Sequence, residues 1–303
     1  MNDDRIFRLL KLMVTLMGRL PWPVLKFFSD VFGLIWYRID KRHRTVVLDN
    51  LNLAYPGRFS KFEAERMATH IFKNTAAILF EVIWAYEKPK DELFSYFSVK
   101  GAEYLEKAQK KGRGVILLTC HLGNFELLVA ALPKAGVKNP YGIYRKFDFK
   151  PLERLMLEMR QRFGATLIPM GGISGKIDMI LRDGGVVGTL FDQNAGWYHG
   201  VVTDFFGRLA CTKNAMAKLV LRSKATVVPM FMIKRNGKHI IEFLPEVPWE
   251  KTGCPIKDIE NNTQNYVSAV EFMVRQCPEQ YFWVHNRWKT KPLSVIEQKR
   301  AKD

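Results

Sequence analysis

The sequence predicts an α/β fold, a mixed, mainly parallel sheet flanked by helices. Between residues 114 and 248, short apolar runs alternate with helix-patterned segments, as parallel-sheet proteins require. The 303 residues are 48% hydrophobic, enough to bury a sizeable core. The first 44 residues have a different, leucine- and aromatic-rich helical character, which predicts an N-terminal membrane-associated segment (1–44) ahead of a main domain at 45–303.

In "RIFRLLKLMVTLMGRL", residues 5–20, Arg8, Lys11, Thr15 and Arg19 recur at three- and four-residue steps. On a helix they form one narrow basic stripe in an otherwise apolar surface. That pattern suits a helix lying in a membrane interface, and equally an amphipathic helix docked on the protein's own core. The next segment, "PWPVLKFFSDVFGLIWYRIDKRHR", holds Trp22, Trp36 and Tyr37 and ends in Arg38, Lys41, Arg42 and Arg44. Such aromatics suit the headgroup level and such a cluster the cytoplasmic side. No run reaches the roughly 18 uninterrupted apolar residues of a plain spanning helix. Asp3, Asp4 and the lack of a cleavage site argue against a secretory signal.

Residues 45–95 read as helices, one opened by Ser60 and Glu63 in capping-box spacing. "GVILLTC" (114–120) reads as a buried strand leading into a helix. Downstream, "YGIYRK", "ATLIPM" and "VVGTLFDQ" read as strands separated by the helices "PLERLMLEMRQRFG" and "GKIDMILRDGG", which Gly164 and Gly184 or Gly185 close. A further helix, "KNAMAKLVLRSK", precedes the strands "ATVVPMFMIK" and "KHIIEFLPEV". "GGISG" (171–175) reads as a turn with Ser174 as N-cap.

The charge of +17, from 47 basic and 30 acidic residues, predicts anionic partners: nucleic acid, anionic lipid or an acidic protein. Aromatics are not interleaved with a basic patch in any nucleic-acid module, so no nucleic acid is expected. Cys120, Cys211, Cys254 and Cys277 lie far apart, without metal-ligand spacing. They read as reduced thiols of a protein facing the cytoplasm.

The chemistry centres on "TCHLGNFELL" (119–128). A strand of a parallel sheet that runs into a helix delivers its last residues to the carboxyl edge, where ligands bind. His121 belongs at that edge. Five residues of ideal helix give about 140° of net rotation, so His121 and Glu126 face each other only if the histidine precedes the helix. Gly123 and Asn124 permit such a turn. An imidazole held by a carboxylate is a general base for a hydroxyl group. Cys120 points to the other face of its strand and is expected to be buried structure.

"HLGNFE" resembles the H-x-x-x-x-D/E signature of glycerolipid-type acyltransferases, in the glutamate form of the bacterial lysophospholipid/lipid A biosynthesis acyltransferase family. "GIYRKFDFKPLERLM", "LFDQNAGWYHGVVTDFFGRLACT" and "YFWVHNRWKT" resemble further family blocks in the same order. The resemblance spans nearly the whole chain. It implies a glycerolipid acyltransferase-like fold, and an enzyme on the cytoplasmic face of the bacterial inner membrane. Such an enzyme moves a fatty acyl group from acyl carrier protein to a hydroxyl of a lipid A precursor, usually on a 3-hydroxyacyl chain. Transfer to another glycolipid or a lysophospholipid is the alternative. By the same resemblance His121 is the base and Glu126 its partner, with no covalent intermediate. Arg145 holds a phosphate or the acceptor, and Asp192 and Gln193 lie near the site. No metal or cofactor is implied. Arg145 and Asp192 also have plain readings, as a strand-end charge and a turn residue. Phe205 and Phe206 suit either an acyl channel or the core. The basic "HNRWKTK" and the entry cluster are expected to meet anionic lipid or the carrier protein.

Overall fold

The structure, a computed structural model, describes residues 2–162 and 164–290. Helices come first: α1 (Asp3–Gly18), α2 (Trp22–Ile39), α3 (Lys41–Ala54), α4 (Lys61–Tyr86) and α5 (Lys90–Ser95). Sheet and helix then alternate through β1 (Phe97–Lys100), α6 (Ala102–Gln109), β2 (Val115–Thr119), α7 (Phe125–Ala131), β3 (Tyr141–Tyr144), α8 (Lys150–Gln161), β4 (Thr166–Pro169), α9 (Ser174–Arg182) and β5 (Val186–Leu190). A hairpin, β6 (Gly200–Phe205) and β7 (Arg208–Lys213), precedes α10 (Ala215–Ser223), β8 (Thr226–Arg235), β9 (Lys238–Phe243) and α11 (Pro255–Gln276).

The described strands form a seven-stranded sheet in the order β1-β9-β8-β2-β5-β3-β4. Every neighbouring pair is parallel except β8 with β9, so the expected mixed, mainly parallel sheet is present. All five residues of β2 are buried, as a central strand covered on both faces must be. Alternate residues feed two cores. Ile116 and Leu118 join Val187, Met216 and Val270 on the face carrying α9, α10 and α11. Val115 and Leu117 join Leu127, Leu128 and Met156 on the face carrying α7 and α8. The 26-residue α4, started by the Ser60–Glu63 capping box, serves both cores: Ile71 and Phe72 enter the first, Phe80 and Trp84 the second.

α1 is docked on the protein's own core, against α4 and α8. Half of the basic stripe on α1 faces the protein: Lys11 pairs with Glu158 on α8, and the Thr15 hydroxyl donates to Glu87 at 3.0 Å. Leu9, Leu12, Met13 and Leu16 face outward, continued by Phe27, Phe28, Val31, Phe32 and Ile35 of α2. Phe7, Leu10, Val14 and Met17 pack inward beside Lys11 and Thr15, while Arg8 and Arg19 stay exposed, so α1 is apolar on both its inner and its outer side. An apolar surface of this extent is unusual on a soluble monomer. α2 crosses α4 at Gly33, where a Cβ would sit 2.7 Å from the Lys73 Cα. Among the described residues no helix is long and apolar enough to cross a membrane.

The C-terminal stretch 278–290 folds back over the carboxyl edge. The Phe282 N–H donates to the His121 carbonyl at 2.9 Å and the Gly123 N–H to that of Gln280 at 3.0 Å. Asn50 donates to the Trp283 and His285 carbonyls at 2.7 and 2.8 Å. Arg287, expected to meet lipid or carrier, is instead 2% exposed. It donates to the Cys211 carbonyl and the Thr212 hydroxyl at 3.0 and 2.6 Å. The segment is a clasp made of backbone and buried side chains; its last predicted cation, Lys291, lies outside the described residues.

Candidate active site

Strand register builds the site. On neighbouring parallel strands Thr119 pairs with Leu190, and the Phe191 N–H donates to the Thr119 carbonyl at 2.9 Å. Two residues beyond each, His121 and Asp192 meet. The His121 ring Nδ1 lies 2.7 Å from Asp192 Oδ1, and the His121 backbone N–H donates to Oδ2 at 3.1 Å. Gly123, at φ +59°, turns the chain where a Cβ would collide with the Met232 carbonyl oxygen at 1.9 Å. Asn124 then caps α7, accepting from the Leu127 N–H at 3.1 Å and donating to buried Glu81 at 2.8 Å. His121 thus stands before the helix, and Glu126 in its first turn.

The structure differs from the sequence reading over which carboxylate holds the ring. Glu126 makes no hydrogen bond to His121 among the described residues. Its two oxygens accept from Nε and Nη2 of Arg160, each at 2.8 Å. From the first turn of α7 this carboxylate looks across to α8, where a guanidinium offers two parallel donors. Asp192, expected only near the site, takes the imidazole. Arg160 was missed altogether: nothing in "LEMRQRF" distinguishes it from Arg154 or Arg162.

Electrostatics follow the geometry. Burial opposes the charged imidazolium of His121, but the charge and hydrogen bond of Asp192, with Glu126 behind, outweigh it and raise its pKa above the ordinary 6.5. Burial would raise the Asp192 carboxyl; the His121 charge, ring and backbone N–H, with the Tyr281 hydroxyl, hold it below its ordinary range instead. Cys120 is free and fully buried. Burial first, and then the Asp192 charge, push its thiol well up, which suits the structural part expected of it.

The His121 ring packs against Phe125 and Phe282, with centroids 4.6 and 5.8 Å away. Its Nε2 has no hydrogen-bond partner among the described residues, and the side chain borders a cavity of about 590 Å³. Apolar walls come from Phe125, Leu128, Val129 and Leu132, while Arg145, Lys146 and Arg160 supply cations. Gly142 and Gly188, paired across β3 and β5, line it without side chains. Arg145 is exposed, and Gln193 is exposed where this cavity adjoins a second of about 370 Å³. Phe205 and Phe206 belong to the core. Ser174 begins α9 rather than capping it; Ile173 holds the N-cap position, with no side-chain bond.

The family described as bacterial lipid A biosynthesis acyltransferase matches residues 5–290. The chain belongs to that family. It is similar to the lipid A biosynthesis lauroyltransferase of Escherichia coli K12, with 28% identity over 92% of this chain and 90% of the relative. The palmitoleoyltransferase of the same organism is 27% identical over 91% and 88%. The myristoyltransferase is 24% identical over 88% and 81%. The family match includes both the His121 loop and the C-terminal clasp that closes over it.

Proposed function

We propose that the protein is an O-acyltransferase of lipid A biosynthesis, carrying a fatty acyl chain from acyl carrier protein to a hydroxyl of a lipid A precursor. The observation that carries this reading is the open Nε2 of a buried, carboxylate-braced histidine at the wall of an apolar cavity, in a chain of this family.

In the reaction, Nε2 of His121 takes the proton of the acceptor hydroxyl. The oxygen attacks the thioester carbonyl carbon, the C–S bond breaks, and the leaving thiolate receives the proton back from the imidazolium. Asp192 fixes the tautomer and stabilises the imidazolium, a division of labour known from serine hydrolases. The acceptor oxygen is itself the nucleophile, so no covalent intermediate arises. The oxyanion is met by donors of the cavity wall that the cap and the ion pair leave over, the Phe125 and Glu126 N–H groups and Nη1 of Arg160. Glu126, held by Arg160, keeps that guanidinium in place. Arg145 and Gln193 at the rim bind the polar part of a substrate, a phosphate in the case of Arg145.

The apolar outer face of α1 and α2 rests on the cytoplasmic side of the bacterial inner membrane, with residues 1–44 as the anchoring segment. The cations of the entry cluster face anionic headgroups.

The test is transfer by purified enzyme from acyl carrier protein thioesters to a tetra-acylated lipid A precursor, read by mass. Wild type adds one acyl chain; His121→Ala loses about 10² to 10⁴ of the rate. Near-wild-type turnover by that variant, or unchanged lipid A in cells lacking the gene, would sink the reading.

A further inference from the structure

The cavity that holds His121 lies on the α7–α8 face of the sheet. The second cavity lies on the opposite face, walled by Ile116, Ile177, Val187, Met216 and Leu219. The two share Ile143, Met170, Thr189, Leu190 and Gln193, so they meet at the carboxyl edge beside the catalytic histidine. Their surroundings differ. The first adjoins α8, against which α1 packs, its apolar outer face turned away from the protein. The second is rimmed by Lys213 and Arg222, and α9 and α10, both starting at this edge, add exposed Lys176 and Lys218. Arg222 is paired with Asp178 at 3.1 Å; Lys176, Lys213 and Lys218 have no ion pair among the described residues. Exposed Met170 and Met179, 53% and 60% accessible, lie among these cations.

From this placement we infer that the first turns of α9 and α10, with the end of β7, are the docking surface for the acidic carrier protein, whose thioester arm enters through the second cavity. The inference rests on the proposed carrier-dependent transfer. Charge complementarity selects the occupant: unpaired lysines around flexible apolar side chains suit an acidic amphipathic helix. The donor thus arrives on one face of the sheet and the lipid acceptor on the other, and their reacting atoms meet at His121.

The experiment is a Lys176→Glu/Lys218→Glu variant of the full chain in detergent, beside Lys107→Glu/Lys110→Glu at the end of α6 and its C-cap, which changes net charge equally. Each is given acyl carrier protein thioester and, separately, the acyl-pantetheine thioester, which has no carrier surface. The α9–α10 variant is expected to raise the KM for the carrier thioester about tenfold, with acyl-pantetheine turnover and acceptor KM unchanged. The α6 variant is expected to match wild type. An unaltered carrier KM, an equal effect from α6, or an equal loss with acyl-pantetheine overturns the docking surface while leaving carrier-dependent transfer standing. Wild-type enzyme that uses acyl-pantetheine but not the carrier thioester overturns both.

Discussion

Two carboxylates border the same histidine and have different neighbours. Asp192 follows β5, is 3% exposed, and gives its oxygens to the ring and backbone of His121. Glu126 stands in the first turn of α7, with 21% of its side chain accessible, and gives both oxygens to Arg160. Five residues separate Glu126 from the histidine and 71 separate Asp192 from it, yet the distant one makes the contact. Sheet register is a more rigid constraint than proximity along the chain, because two paired strands fix their continuations to within a residue.

The sharpest way to break this comparison is Asp192→Asn. The proposed mechanism needs neutral His121, and its raised pKa is then expected to make activity fall as pH drops through a value above 6.5. Removing the anion leaves burial, which lowers that pKa, so the acid limb of kcat/KM moves to lower pH. The plateau falls by roughly 10³ to 10⁴ as the tautomer is lost. A pH–rate profile with an unmoved acid limb would return the ring to Glu126.

Arg160→Gln tests the other arm. It leaves Glu126 uncompensated near the imidazole, so the acid limb moves up, opposite in sign to the Asp192 variant. Losing a charged two-point contact costs about 10- to 100-fold in rate. Equal shifts of the same sign in the two variants would show that the carboxylates act as one unit.

The smallest effect is expected at Cys120, which adjoins His121 but turns into the core. Cys120→Ser is expected to keep activity within about twofold of wild type and to lose roughly 1 to 3 kcal/mol of stability from a buried hydroxyl. Denaturant unfolding and turnover measured together check it. A folded but inactive variant would make the thiol part of the chemistry.

Much of the fold was legible in residues whose signals are local. β2 reads as a buried strand from its apolar run, α4 announces its start through Ser60 and Glu63, and Gly184 ends α9 at φ +77°. The hairpin of β6 and β7 was not read, since no Asn-Gly turn announces it; the long α11 was also not read, although Pro255 and the stripe of Tyr266, Val267, Val270, Met273 and Val274 mark it. His121 was legible because the end of a parallel strand is a ligand address whatever the sequence around it. Arg287 was misread, since its charge says surface, and only the folding of the clasp onto β7 brings it to the Cys211 carbonyl and the Thr212 hydroxyl that satisfy two of its donors inside.

By itself, then, the sequence determined the α/β alternation, the place of His121 at a strand end and the ordered blocks that relate the chain to its family. Period, capping and turn chemistry act over a few residues and can be read there. Only the tertiary structure decided which carboxylate holds the imidazole, that Arg160 holds the other, and that α1 turns Lys11 and Thr15 inward. Those outcomes depend on which side chains sheet register and helix packing bring within 3 Å of one another, and no spacing along one chain encodes that distance.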